Sequence, residues 1–259
     1  MKIQSTWVCV AAIIAWAGCI CAAAPQEMTY NVDGVQRTAL IYSLPAAKTN
    51  AAPVVFVFHG HGGNARNAER SFHIETEWPE AIVVYMQGLP TVGQLTDPKG
   101  ERSGWQSVAG GNDDRDLKFF DAVLAQLKQD YKVDASHIFS TGHSNGGGFT
   151  YLLWLTRGDV LAAVAPCAAL GKYAAQLKPK PVMHIAGEKD LLVKYAWQER
   201  MMAEVRKIDG CSATGESWDK DCTLYPSAQG TPVVTFIHHG GHIVPASAPA
   251  LIVKFFKQH

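Results

Sequence analysis

Hydrophobic residues follow two spacings along the chain, one typical of buried strands and one typical of helices. The unbroken apolar runs Val54–Phe58 and Ala81–Met86 each predict a strand buried on both faces. Between Asp116 and Tyr131 apolar side chains recur every three or four positions, which predicts a helix. The same patterns predict further strands at His137–Thr141, Leu161–Ala165, Pro181–Ala186 and Val233–His238, and further helices at Gly146–Thr156, Lys194–Ile208 and from about Ser247.

Two strands near the start of the chain form the other recognisable unit. Met28–Val32 and Val35–Ser43 are separated by Asp33-Gly34, a dipeptide that favours a two-residue hairpin turn. Strands that then alternate with helices predict an α/β fold, with a mostly parallel central sheet flanked by helices and an N-terminal antiparallel hairpin. Because α/β folds of this length commonly remain undivided, we expect one domain over residues 25–259.

The first residues have the layout of a secretory signal peptide. Lys2 precedes the apolar run Trp7–Ile20, and the small residues Cys21–Ala24 follow it. We therefore predict a signal peptide over residues 1–24 and a secreted or periplasmic mature protein, the alternative being a retained membrane anchor. Trp16–Cys19 also loosely resembles a lipoprotein lipobox, although Trp fits its first position poorly.

Charge balance limits the expected binding partners, and the cysteine positions suggest one disulfide. The chain has 23 basic and 23 acidic residues, and this balance argues against nucleic-acid binding and against electrostatic capture of a strongly charged substrate. Cys211 and Cys222 flank the polar segment 212–221, a spacing that a disulfide can close after export; the alternative is two reduced thiols. Cys167 follows an apolar run and is expected to be a buried free thiol.

The strongest chemical motif is Gly142-His143-Ser144-Asn145-Gly146, which lies between a predicted strand and a predicted helix. A Gly-x-Ser-x-Gly motif in that context is typical of a nucleophile elbow, in which the flanking glycines let the chain turn sharply and expose the serine hydroxyl. The helix N-terminus that follows also favours a developing anion. We predict Ser144 as a nucleophile.

A serine nucleophile needs a base, and in this arrangement the base follows the acid along the chain. His242 lies in the flexible turn Gly240–Pro245 just after the last predicted strand, and is the expected base, with His239 as the alternative. A metal cluster of His238, His239 and His242 is disfavoured because nothing nearby supplies further ligands, so no metal is expected.

The expected acid is Asp190, which follows the strand Pro181–Ala186 and a glycine turn. Glu188 is the nearest competitor. Asp113, Asp114 and Asp116 precede the nucleophile and are better explained as an acidic helix N-terminus.

A glycine-rich segment supplies the expected oxyanion hole. His59-Gly60-His61-Gly62-Gly63 follows the first buried strand, so we assign the donors to the backbone N–H groups of His61 and Asn145. The side chains of His59 and His61 are expected to be structural. Gln87–Asn112 is a long irregular stretch whose Trp105 either forms an exposed aromatic wall for substrate or pins the loop to the core.

Together these motifs, with Gly187–Asp190 and Gly240–Pro245, resemble the secreted esterases that include polyhydroxybutyrate depolymerases, feruloyl esterases and acetyl xylan esterases. The resemblance covers most of the mature chain and implies the α/β-hydrolase fold and extracellular ester hydrolysis without a cofactor. The chain departs from many members at His61, where they carry Cys, and at Ile243-Val244, where an aromatic residue often precedes the proline.

The sequence thus predicts a carboxylic-ester hydrolase that forms an acyl-enzyme intermediate. We expect a monomer that acts on a polyester or an acylated polysaccharide fragment, with no membrane partner in its mature form. A non-catalytic binding protein on the same fold and a serine peptidase are the alternatives.

Overall fold

The computed structural model describes residues 24–259, so the predicted signal peptide lies, apart from Ala24, outside the described residues. The strands are β1 (Gln26–Val32), β2 (Val35–Tyr42), β3 (Ala52–Phe58), β4 (Ile82–Met86), β5 (Leu89–Pro90), β6 (Ser103–Gly104), β7 (Val133–His143), β8 (Ala163–Cys167), β9 (Val182–Gly187), β10 (Glu216–Asp219), β11 (Cys222–Tyr225) and β12 (Val233–His238). The helices are α1 (Ala65–Phe72), α2 (Ile74–Glu77), α3 (Arg115–Asp130), α4 (Asn145–Arg157), α5 (Tyr195–Ile208) and α6 (Ala248–Phe256).

Ten of these strands form one sheet in the order β1-β2-β4-β3-β7-β8-β9-β12-β11-β10. The six strands from β4 to β12 in that order are mutually parallel. The N-terminal hairpin continues the sheet antiparallel at one end, and β11 and β10 do so at the other. The predicted mostly parallel sheet with an N-terminal antiparallel hairpin is therefore confirmed.

The apolar run of β3 shows why the sheet lies in the middle of the fold. Val54, Phe56 and Phe58 point to one face and pack with α3, α4 and α5. Val55 and Val57 point to the other face and pack with α1, α2 and α6. All five side chains are fully buried, as expected for a strand with helices on both faces.

The turn between β1 and β2 follows its sequence signal. Asp33 and Gly34 both have positive φ, 51° and 81°, which a two-residue hairpin turn of this kind requires. The side chain of Asn31 accepts a hydrogen bond from the Gly34 N–H at 2.9 Å and closes the turn.

The predicted disulfide between Cys211 and Cys222 is wrong, since both are free thiols. Cys222 begins β11 and packs on the face covered by α1, α2 and α6, whereas Cys211 packs against the core on the opposite face. Cys211 pairs with Ser227, five residues beyond Cys222 along an extended segment. That separation corresponds to about 16 Å, well beyond the reach of a disulfide.

The polar segment between these cysteines contains a strand, β10, which pairs with β11. β10 and β11 extend the sheet as a short hairpin at its edge. Cys167, at the end of β8, is a fully buried free thiol, as the sequence predicted. Within residues 24–259, no helix combines the length and the apolar character needed to cross a bilayer.

Candidate active site

Ser144 lies at the sharp turn between the end of β7 and the start of α4. Its backbone has φ 55° and ψ −118°, a strained conformation for a residue with a side chain. The turn is compatible only with very small neighbours: a Cβ added to Gly142 would lie 2.5 Å from the Gly146 carbonyl oxygen, and one added to Gly146 would lie 2.4 Å from the Phe58 carbonyl oxygen. The motif therefore forms the strained elbow that the sequence predicts, with the serine at the N-terminus of a helix.

The structure brings the three predicted triad side chains together from three separate segments. His242 Nε2 lies 2.8 Å from Ser144 Oγ, and His242 Nδ1 lies 2.8 Å from Asp190 Oδ2. The Asp190 side chain is fully buried, and that of His242 is 19% exposed. Because the carboxylate accepts from Nδ1–H, Nε2 is left as the acceptor for the serine hydroxyl.

The loop after β9 fixes the carboxylate of Asp190. Its Oδ1 accepts hydrogen bonds from the backbone N–H groups of Leu192 and Val193, both at 2.9 Å. Its Oδ2 faces His242 and also accepts from Gln198 Nε2 at 3.1 Å. Asp190 is thus held by four hydrogen-bond donors, two of them backbone groups, in a site closed to solvent.

The competing residues lie elsewhere. Glu188 and His239 contact each other at 2.5 Å on the surface, with side chains 45% and 78% exposed. His238 is buried, and its Nδ1 accepts from the Gly240 N–H. The imidazoles of His238, His239 and His242 therefore do not converge on one point. Within residues 24–259 no group of His, Cys, Asp and Glu is placed to hold a metal ion.

The acidic residues before the nucleophile make structural contacts outside the triad. Asp116 is buried and pairs with Arg37 at 2.8 Å, while Asp114 accepts hydrogen bonds from Gln106 and Gly110. Asp116 is the second residue of α3, in keeping with the predicted acidic helix N-terminus.

The two predicted oxyanion donors lie beside the nucleophile. His61 belongs to the loop after β3 and Asn145 is the first residue of α4, and both line the same cleft as Ser144. Within the described residues, neither backbone N–H donates a hydrogen bond. Gly60 closely approaches the nucleophile, since a Cβ there would lie 3.5 Å from Ser144 Cβ.

The side chains of His61 and Asn145 hold the long loop that precedes α3. His61 Nε2 contacts Asp97 Oδ2 at 3.0 Å. The Asn145 amide pairs with both polar groups of the Trp105 backbone: Oδ1 accepts from N–H at 2.7 Å, and Nδ2 donates to the carbonyl at 3.1 Å. This anchoring role of Asn145 was missed by the sequence analysis, which considered only its backbone.

Trp105 is buried, so the expectation of an exposed aromatic wall is wrong and the alternative, a pin for the loop, is confirmed. Its side chain is 1% exposed and stacks on Phe149 with ring centroids 5.4 Å apart. Its Nε1–H donates to the His59 carbonyl at 2.9 Å. Burial satisfies the indole both in packing and in hydrogen bonding.

Two further histidines near the elbow are held in the neutral form. Burial lowers the pKa of His59 to about 4, and its ring bridges the Gly60 carbonyl and the Gly88 N–H at 2.8 and 2.9 Å. Burial, followed by the nearby His242, lowers the pKa of His143 to about 4. His59 is therefore structural, as predicted.

A cleft of about 590 Å³ gives access to Ser144 and His242. Much of its wall is apolar and partly exposed, including Val92, Leu95, Leu170 and Leu192. Its charged lining residues other than histidine are Arg102 and Lys172, and none of the lining residues, all within the described part of the chain, is an aspartate or glutamate. Lys172 Nζ donates to a neutral partner, the Ser107 hydroxyl, at 3.1 Å.

Comparison with curated proteins finds esterases. Feruloyl esterase D of Neurospora crassa is 26% identical over 234 residues, which cover 84% of this chain and 77% of that protein. A bifunctional acetylxylan esterase/xylanase of Neocallimastix patriciarum is 24% identical over 76% of this chain, and a probable feruloyl esterase C of Aspergillus clavatus is 33% identical over 48% of it. The matched regions span only 27% and 43% of those two proteins. No protein-family model matches the chain.

Solved structures give the same fold at low sequence identity. An acetyl xylan esterase from Aspergillus awamori superposes with a TM-score of 0.70 at 13% identity, covering 92% of this chain and all of that one. A carboxylesterase from Bacillus cereus superposes with a TM-score of 0.60 at 17% identity, covering 86% of this chain and 94% of that one. The chain therefore has the α/β-hydrolase fold and is related to feruloyl and acetylxylan esterases.

Proposed function

We propose that this protein is a serine esterase that transfers the acyl group of a carboxylic ester to water. The observation that carries the proposal is the unbroken hydrogen-bonded path from Ser144 Oγ through His242 to Asp190, with both distances 2.8 Å. The relationship to feruloyl and acetylxylan esterases supports the same chemistry.

In the first half of the reaction, Ser144 Oγ attacks the ester carbonyl while its proton passes to His242 Nε2. The negative charge that develops on the carbonyl oxygen is stabilised by the N–H groups of His61 and Asn145, and one such donor typically contributes about 3 kcal/mol. Asp190 stabilises the imidazolium. The carbon–oxygen bond to the alcohol then breaks, His242 protonates the leaving oxygen, and an acyl-serine remains.

In the second half, water replaces the alcohol. His242 takes a proton from the attacking water, the same N–H groups stabilise the second oxyanion, and the acid is released as the proton returns to Ser144. The buried carboxylate of Asp190 keeps the imidazole in one orientation through both halves, so the base that starts each step is also the acid that completes it.

Substitution Ser144→Ala tests the proposal. We expect the variant to fold normally and to lose nearly all hydrolysis of p-nitrophenyl acetate, because the hydroxyl that forms the acyl-enzyme is gone. A fluorophosphonate probe should label the wild-type protein and not the variant. Undiminished hydrolysis by folded Ser144→Ala would place the nucleophile elsewhere, and an unlabelled, inactive wild-type protein would instead favour a non-catalytic role.

For the substrate, we propose a polyhydroxybutyrate-like polyester or a feruloyl or acetyl ester of a polysaccharide. The apolar cleft walls suit an ester with an acyl chain or an aromatic acid. The relationship to a feruloyl esterase and an acetylxylan esterase supports the polysaccharide esters. A panel of methyl ferulate, acetylated xylan, hydroxybutyrate oligomers and short p-nitrophenyl esters separates these classes by their kcat/KM values.

We also propose that the mature protein is exported. The support is the charged, apolar and small-residue layout of residues 1–24. Fractionation of the producing cells with N-terminal sequencing of the product tests this: a mature chain that begins near Pro25 outside the cytoplasm is expected, and an uncleaved cytoplasmic chain would refute it.

A further inference from the structure

Three buried polar residues adjoin the proposed triad and take no part in the chemistry described so far. Tyr151 lies two turns into α4, His184 lies in β9, and Gln198 lies in α5. Each is at most 1% exposed. A buried polar side chain is stabilising only when its hydrogen bonds are satisfied, so the contacts of these three residues identify what they hold.

The contacts form one line that ends at the proposed catalytic acid. Tyr151 Oη lies 2.7 Å from His184 Nδ1, and His184 Nε2 lies 3.3 Å from Gln198 Oε1. Gln198 Nε2 then donates to Asp190 Oδ2 at 3.1 Å and to the Val193 carbonyl at 2.7 Å.

The direction of every hydrogen bond in this line follows from the acceptors at its end. A carboxylate and a carbonyl face one end of the Gln198 amide, so that end must be the NH₂ group and Oε1 must face His184. His184 therefore carries its proton on Nε2, and its Nδ1 accepts the Tyr151 hydroxyl. Burial lowers the pKa of His184 to about 4, which agrees with a neutral ring bearing a single proton.

We propose that Tyr151, His184 and Gln198 form a buried positioning relay, which locks the Gln198 amide so that it donates to Asp190 and holds that carboxylate towards His242. The proposal rests on the proposed function of Asp190 and His242. Within the described residues, Gln198 and His242 are the two side chains that donate to Asp190, and both donate to the same oxygen.

The relay also links the acid to the nucleophile. Ser144 begins the turn into α4, and Tyr151 lies on that same helix. The contacts therefore form a closed ring from Ser144 through α4 and the relay to Asp190, then through His242 back to Ser144. Because each member is fixed by its neighbours, a displacement of α4 would also displace the Asp190 carboxylate.

The kinetic test removes one link at a time. Gln198→Leu deletes the donor to Asp190, and we expect kcat for a small ester to fall about tenfold while KM changes less than about twofold, since no relay residue lines the cleft. Tyr151→Phe removes only the hydroxyl that contacts His184 Nδ1, and the Gln198 amide and its donation to Asp190 remain. Its kcat should fall between that of the wild type and that of Gln198→Leu.

The pH profile separates positioning from packing. Without the Gln198 donor, the Asp190 carboxylate stabilises the imidazolium of His242 more strongly, so the acid limb of kcat/KM moves to higher pH. Tyr30→Phe and Gln126→Leu on α3 are matched controls that should leave both parameters unchanged; the Tyr30 hydroxyl is buried and has no hydrogen-bond partner in the described part of the chain. Folded Gln198→Leu with wild-type kcat and an unmoved acid limb would overturn the relay.

A second measurement does not depend on activity. In ¹⁵N-resolved NMR spectra of the wild-type protein, His184 should be the Nε2–H tautomer and should stay neutral above about pH 5. The tautomer should become mixed in Gln198→Leu, which removes the acceptor for Nε2–H, and should stay Nε2–H in Tyr151→Phe. An Nδ1–H tautomer in the wild type would refute the relay even if the protein is an active esterase. The predicted tautomer in a protein without ester hydrolysis would instead refute the proposed function alone.

Discussion

Asp209, at the C-terminal end of α5, tests how burial changes the pKa of a carboxyl group and thereby the pH dependence of stability. It is fully buried, its Oδ1 accepts the Lys180 N–H at 2.7 Å, and within residues 24–259 its Oδ2 has no partner. Burial is the largest cause that raises its pKa from 3.8 to about 7, and the hydrogen bond from Lys180 only partly offsets it. The folded protein therefore keeps a proton that the unfolded chain releases.

The sign of the effect on stability follows from that difference. Below about pH 4 Asp209 is neutral in both states and has no effect on the pH dependence. Between about pH 4 and pH 7 the unfolded chain ionises first, so each pH unit lowers the free energy of unfolding by about 1.4 kcal/mol. Over the whole window the loss is about 4 kcal/mol, and above pH 7 it stays constant.

Asp209→Asn should remove this loss. The amide keeps the acceptor for Lys180 and cannot ionise, so we expect a variant of similar stability at pH 4 that is more stable than the wild type by up to about 4 kcal/mol at pH 8. Urea unfolding followed by circular dichroism at each pH measures the difference. Asp130→Asn, which removes an exposed carboxylate, is the control. A difference between Asp209→Asn and the wild type that does not change from pH 4 to pH 8 would refute the reasoning.

Three further outcomes follow from the site and the cysteines. Trp105→Ala should lower the free energy of unfolding by about 3–5 kcal/mol and reduce kcat, because it removes a buried aromatic pin; chemical denaturation and kinetics check this, and an unchanged stability would contradict it. Lys172→Met should reduce the kcat/KM ratio of p-nitrophenyl hemisuccinate to its neutral methyl ester, because a cation with a neutral partner lines the cleft; an unchanged ratio would show that this charge does not select substrate. Cys211 and Cys222 should both be alkylated after unfolding without reductant, as mass spectrometry would show, and a bridged peptide would contradict the free thiols.

Much of the fold could be predicted because its signals are local. The run Val54–Phe58 is a strand with helices on both faces, and Asp33-Gly34 forms the hairpin turn that its conformational preferences demand. Ser144 likewise lies at a strained strand-to-helix turn, because glycines on both sides are the residues that such a turn tolerates.

The remainder depends on contacts between distant residues. Strands β10 and β11 have only four residues each, too few for a clear alternation of polar and apolar positions. Cysteine spacing also cannot reveal that the two thiols face opposite sides of a sheet. The partners of Trp105 lie in other segments, so its burial could not be deduced from its own loop. His184 offered one signal, a polar residue within the apolar strand β9, but its link to Gln198 exists only after α5 packs against the sheet.

Three of the contacts that attach the loop from Gln87 to Asn112 to the fold involve a side chain near the serine: Gly88 with the ring of His59, Asp97 with His61, and Trp105 with Asn145. All three attachment points belong to the two segments that surround the serine. Residues between these contacts, such as Val92 and Leu95, are exposed and do not hold the loop in place. Evolution or engineering can therefore exchange the exposed parts of this loop to change which ester is accepted, whereas changes at the tethered positions impair turnover.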